Sequence, residues 1–217
     1  MKVYNFWATL LNDFSSYQKE EGFEKGDGTF HPFCDELMLI DRLNRVQGEP
    51  TEAMKKGVAF EECLRYNKTS HSIDNLKFDF DAKLLESMGT ICHNGIWNTL
   101  VEFTIPVDTD VAVRLYGYID CIKQDTCIDV KTTSSYSFPK FDQSYQHKLY
   151  MIASNHSGIY LNKFMYLITD FRDYYYEVYP YDPSKYMNDL IAISKDLIGF
   201  IESRKILINN PRLITIS

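Results

Sequence analysis

The sequence predicts an α/β protein, and three observations carry that class. Three stretches in series, residues 97–107, 111–122 and 127–133, alternate in polarity and are rich in β-forming residues. A stretch of helical period, residues 139–155, follows them and leads into two more strand-like runs, 159–169 and 174–181. Helical patterns also stand at both ends of the chain. A length of 217 residues suits one domain with a sizeable core, and no repeat or low-complexity linker divides it.

The central strands fix the chemistry. Residues 111–122 and 127–133 are separated by the turn signal Lys123-Gln124-Asp125-Thr126. A two-residue loop at Gln124 and Asp125 sets the register. Lys123 then faces Thr126, Cys121 faces Ile128, and Asp120 faces Asp129. Ile119, Cys121, Ile128 and Val130 are expected on one buried face. Asp120 and Asp129 are expected on the other, with Cβ atoms roughly 4.5–5.5 Å apart and Lys131 two residues along. Opposed carboxylates repel unless a cation lies between them. An all-oxygen donor set suits Mg²⁺ or Mn²⁺, and a lysine beside it suits a phosphate or an activated water. A solvated hairpin face with Lys131 as neutralising partner accounts for the same residues.

The next stretch separates these readings. Pro139 is expected to open the following helix, on which Gln146 and Tyr150, four apart, share a face. Gly117-x-x-Asp120, Asp129-x-Lys131 and Gln146-x-x-x-Tyr150 together resemble, in order and spacing, the motif series of the PD-(D/E)xK nucleases, and the RecB-type and phage exonuclease-like branch in particular. The eponymous proline is absent, Ile119 standing before Asp120. The resemblance covers most of the chain and implies a restriction-endonuclease-like core. That core is a mixed sheet flanked by helices, in the order helix, three antiparallel strands, helix, strand, within residues 51–181. Extra helices precede and follow it.

It also implies a site. Asp120, Asp129 and the main-chain carbonyl of Val130 are expected to hold Mg²⁺ or Mn²⁺, with Glu61 at its edge. Glu61 lies four residues after Gly57 on a helix over residues 52–66 that Thr51 caps. Its neighbour Glu62, about a hundred degrees round the helix, is the alternative, and Glu102 is a further acidic residue on the first strand. Lys131 is expected to act on the water or the phosphate. Gln146 and Tyr150 are expected to take part in catalysis by orienting the strand being cut or by supporting Lys131, and Ser134 and Lys148 are expected to contact substrate beside them. Tyr136 and Phe138 are residues for packing or for base stacking. Gly117 is expected to leave room for substrate or metal.

The activity implied is metal-dependent hydrolysis of DNA, as an exonuclease in recombination, repair or replication. An inert nuclease-like binding subunit and a ribonuclease are the alternatives. DNA is the expected partner, beside a second copy of the chain or a recombination or replication protein. The net charge of −7 argues against a general nucleic-acid coat. No apolar run approaches the ~20 residues of a membrane span, and no secretory signal is visible. Five cysteines, without a C-x-x-C pair, imply a reducing cytoplasm. Several nucleases of the resembled RecB-type branch hold an iron–sulfur cluster with three cysteines after the Gln/Tyr helix; none follows Cys127 here, so the resemblance implies no cluster and the thiols are read as buried apolar groups.

For the rest of the chain the periodicities predict helices over residues 4–17, 32–46, 81–88 and 182–204. Leu37, Ile40 and Leu43 should face inward from the second, and Leu190, Ile193, Leu197 and Ile201 from the last. Residues 20–29 read as a charged loop, and 206–217 as an extended tail.

Overall fold

The computed structural model describes residues 1–216. In chain order these form β1 (Lys2–Trp7), α1 (Ala8–Gln18), β2 (Gly22–Glu24), β3 (Phe30–Pro32), α2 (Glu36–Leu43), α3 (Glu52–Tyr66), β4 (Ser70–Ile73), β5 (Leu76–Asp79) and α4 (Ala82–Cys92). They continue with β6 (Ile96–Asp108), β7 (Val111–Lys123), β8 (Thr126–Thr132), α5 (Tyr145–His156), β9 (Lys163–Thr169), β10 (Tyr174–Pro180), α6 (Pro183–Ser203) and β11 (Ile214–Ile216).

One seven-stranded mixed sheet runs β10-β9-β8-β7-β1-β11, with β6 also on β7. The strands β6, β7 and β8 are antiparallel in series, and β9 returns parallel to β8 after α5. The expected order of helix, three antiparallel strands, helix and strand is therefore present. Helices lie on both faces. The larger core joins α1, α2, α5 and α6 to the sheet, and a smaller one joins α3 and α4 to β7, β8 and β9.

The long strand β7 is the hub. One edge pairs with β6 along almost its whole length. The other edge is divided. Residues Val111–Tyr116 pair with β1, and Cys121–Lys123 pair with β8 in the register set by the Gln124–Asp125 turn. Between them, residues 117–120 have no ladder partner on that edge.

Strict alternation fails at the end of this gap. On the β6 side the ladder skips Asn98 and Asp120, where Asn98 is left-handed with φ 57°. Ile119 therefore joins the larger core, whereas Cys121, Ile128 and Val130 join the smaller one. The single buried face expected for these four residues is corrected to two, because both faces of the sheet are covered here.

Other corrections concern the ends. Residues 2–7 are a strand, since Tyr4 and Phe6 are buried and the segment pairs parallel to β7; the first helix starts only at Ala8. The loop at 20–29 contains β2, paired with β3. The second helix is shorter than expected, capped by Asp35, and buries Leu39, Ile40 and Leu43 while Leu37 is exposed. Pro139 does not open α5; Ser144 caps it instead, leaving residues 133–144 as a loop. The tail contributes β11, antiparallel to β1. By contrast α3 has the expected bounds, with the Thr51 hydroxyl accepting from the Met54 amide. The four expected α6 residues are all buried, and the five cysteines are free and buried. No helix among the described residues is long and apolar enough to cross a membrane.

Candidate active site

The gap on β7 is where the polar residues gather. Asp120 closes it, and its Oδ2 accepts a hydrogen bond from the Val130 amide of β8 at 2.8 Å. This bond replaces the next ladder rung, so the two strands part while staying tied. Asp129 is almost wholly buried, its side chain 2% exposed. The Gln146 side-chain amide of α5 donates to its Oδ1. Lys131 Nζ lies 2.7 Å from Asp129 Oδ2, with its side chain 33% exposed. Asp120, Asp129, Lys131 and Gln146 thus meet at one place, drawn from β7, β8 and α5.

Glu61 faces this group from α3. Small residues allow the approach: a Cβ at Gly57 would meet the Thr132 hydroxyl of β8 at 2.8 Å, and Ala59 is fully buried. Of the two neighbouring glutamates, Glu61 is the one whose charge acts on both Asp120 and Lys131. Burial raises the Glu61 pKa, and the charges of Asp129 and Glu62 add to the rise. Burial likewise pushes Asp120 up to about 8, helped by Asp129 and Glu61. Burial opposes the charge on Lys131, but Asp129 outweighs it and the net shift is upward.

The donor set fits a hard divalent cation. It consists of carboxylate and carbonyl oxygens. The Oδ2 atom of Asp129 is buried and receives no aligned hydrogen bond, although the Lys131 ammonium is close. Such an atom is costly without a partner. No group of three His, Cys, Asp or Glu side chains among the described residues is placed to enclose an ion. The fit is that of two carboxylates with the rest of the shell left to water and phosphate, as Mg²⁺ prefers.

Tyr150 stands behind this group. It is buried, and a Cβ on Gly117 would meet its ring at 2.4 Å and its hydroxyl at 2.8 Å. The space left by Gly117 therefore houses the tyrosine ring, which corrects the expectation of room for substrate or metal. Lys148 is also displaced from its expected role. It is buried beside Asp189 of α6, with Nζ 2.7 Å from that carboxylate and over the Tyr145 ring. The helical turn carries it away from Gln146, so substrate contact is not assigned to it. Ser134 is exposed in the loop after β8. Tyr136 packs on Tyr175 and donates to Glu177, whereas Phe138 is exposed. Glu102 is ion-paired with Arg114, apart from the acids.

Two features escaped the sequence reading. Buried Glu177 accepts from the Lys140 and Phe141 amides and from the Tyr136 and Tyr179 hydroxyls, clamping the loop before α5. Only tertiary contact makes it distinctive. The exposed ring of Tyr118 stands two residues before Asp120. The alternation Arg114, Tyr116, Tyr118 was a signal for that face.

No family model matches the chain, and no curated protein matches it. Among solved structures, it is similar to that of a Eubacterium rectale protein described as a "putative exonuclease". The TM-score is 0.57 at 12% identity, over 94% of this chain and 82% of that one. This likeness concerns the fold. A second structure, of the protein SSO0001, is similar over 54% of this chain and 55% of its own, with 18% identity and a TM-score of 0.41.

Proposed function

We propose that the chain is a metal-dependent deoxyribonuclease of the RecB-type branch, an exonuclease in DNA recombination, repair or replication that uses Mg²⁺ or Mn²⁺. The observation that carries this reading is the meeting of Asp120, Asp129, Lys131 and Gln146 at the gap in β7, with Glu61 opposite. The fold shared with the Eubacterium rectale protein supports it.

Asp120, Asp129 and the Val130 carbonyl would hold the ion, with Glu61 at its edge directly or through water. Such an ion supplies charge to the scissile phosphate and lowers the pKa of an attacking water. The chain's own part is positional. Gln146 fixes the Asp129 carboxylate by donating to Oδ1. Asp120 is oriented by the Val130 amide. The partly exposed Lys131 ammonium stabilises negative charge that builds on phosphate oxygens. Tyr150, packed against Gly117, is a positioning residue for α5 and Gln146.

Digestion of linear, circular and single-stranded DNA, and of RNA, with Mg²⁺, Mn²⁺ or EDTA tests the reading. Loss of linear DNA with either ion and none in EDTA is the expected result. No product under any condition would leave an inert binding subunit, and cleavage of RNA alone would make the chain a ribonuclease.

A further inference from the structure

Leading away from the acids, one part of the sheet carries an exposed aromatic, Tyr118, beside the half-buried rings of Tyr116 and Trp7. Across β6 and β7, Leu100 pairs with Tyr118, Glu102 with Tyr116, and Thr104 with Arg114. Directly opposed residues project to the same side. On the far edge of β7, Trp7 pairs with Tyr116 and their ring centroids are 6.4 Å apart. Tyr118 is 54% exposed and Leu100 46%. The smaller core, with α3 and α4, covers the adjoining part of the sheet around Cys121 and Ile128 and includes none of these residues, whereas Trp7 also packs against the larger core.

Cations frame these rings. Arg114 lies over Tyr116 and is neutralised by Glu102. Arg45 is exposed, donates to the Tyr116 hydroxyl, and sets its guanidinium 3.5 Å above the Trp7 ring centroid. It has no ion pair with a carboxylate among the described residues. Of Arg114, Glu102 and Arg45, the charge left over is therefore positive, in a chain whose net charge is −7.

The spacing has a direction. Tyr116 and Tyr118 precede Asp120 in steps of two, each roughly 6.8 Å along a strand. Aromatic residues at such sheet positions receive successive unstacked bases. A duplex keeps its base faces hidden and cannot stack on Tyr118. We infer that this face is a track for a single strand of DNA. Bases rest on Tyr118 and on the exposed Arg45 guanidinium that covers Trp7, with Tyr116 as the half-buried ring between them, and the backbone is led towards Asp120. The inference rests on the nuclease reading for its direction, and its test does not depend on cleavage.

The measurement is fluorescence anisotropy of labelled dT15, without Mg²⁺ or Mn²⁺, against wild type, Tyr118→Ala, Arg45→Ala and Tyr118→Phe. A 15-base-pair blunt duplex is the competitor. The expected result is about a tenfold loss of affinity for each alanine variant, within the range for one stacked base. Tyr118→Phe should stay near wild type, and the duplex should compete poorly. Affinities of both alanine variants within twofold of wild type would overturn the track, as would absence of dT15 binding. A duplex that competes as well as dT15 would overturn the single-strand assignment. If wild type binds as expected but cleaves nothing with Mg²⁺ or Mn²⁺, the nuclease reading falls while the track stands. If it cleaves and the variants bind normally, the reverse holds.

Discussion

The Tyr150 ring lies where a side chain on Gly117 would be, beside the stretch of β7 that has no partner on its divided edge. The sheet opens there, and the ring fills the opening from α5. Gly117→Ala should therefore push Tyr150 and lower cleavage at least tenfold, at a stability cost of about 1–3 kcal/mol. In a Tyr150→Ala background the same change should cost much less, since the clash is gone. Equal urea-unfolding costs in the two backgrounds would show that the contact does not matter.

Lys131→Met should reduce DNA cleavage by about a thousandfold or more, consistent with loss of an electrostatic stabiliser. It also leaves Asp129 buried with only Gln146 beside it. Some destabilisation is expected in EDTA, with native far-ultraviolet circular dichroism retained. Wild-type turnover in this variant would remove Lys131 from the chemistry.

Metal binding should be visible without activity. At about a hundred times its Kd, Mg²⁺ should stabilise wild type by about 2.7 kcal/mol, or roughly 5–10 °C for a domain of this size. Asp129→Asn should lose most of that shift. Calorimetric melts that respond to Mg²⁺ equally in both proteins would place the ion elsewhere.

His147 supplies an acid-sensitive element. It is buried, stacks on Tyr179 with centroids 4.5 Å apart, and shares a hydrogen bond with the Tyr166 hydroxyl. Burial lowers its pKa from 6.5 to about 3, with help from Lys148 and Lys185. Between these values the unfolded chain binds a proton that the folded chain does not. The histidine therefore contributes stability that is present above pH 6.5 and is lost as pH falls towards 3. The slope is about 1.4 kcal/mol per pH unit. His147→Phe should remove this slope from the difference between the two proteins; parallel stability curves over pH 3–6.5 would refute it.

Glu177 holds the loop before α5 through three donors, the Tyr136 hydroxyl and the Lys140 and Phe141 amides, and takes a fourth from Tyr179 on its own strand. Glu177→Gln turns part of that acceptor into a donor, at a cost of about 1.5–3 kcal/mol. Hydrogen exchange at the Lys140 and Phe141 amides should quicken by more than it does across the β6–β7 ladder. Unchanged protection at those two amides would dismiss the clamp.

Much of the core order was readable in sequence because its signals are local. Alternation gave β6, β7 and β8; the Gln124–Asp125 turn gave the register of β7 on β8 from Lys123 to Cys121, though not the expected Asp120–Asp129 pair, which is outside the ladder; Thr51 and helical period gave α3. Where local signals conflicted, the reading failed. Tyr4 and Phe6 suit either a helix or a strand, and the choice of β1 came from pairing with β7. Pro139 is a sound helix opener, but the Glu177 clamp holds its segment as a loop.

For the candidate site, the order of Asp120, Asp129, Lys131, Gln146 and Tyr150 along the chain sufficed to bring four of them into view as one group. Sequence spacing determines which residues share a strand or a helical face, because backbone geometry repeats every two or 3.6 residues. It does not determine what stands opposite. The division of one edge of β7 between β1 and β8, the ring against Gly117, and the turning of Lys148 towards Asp189 were decided by contacts between segments far apart in the chain, where packing and charge pairing outweigh any local preference.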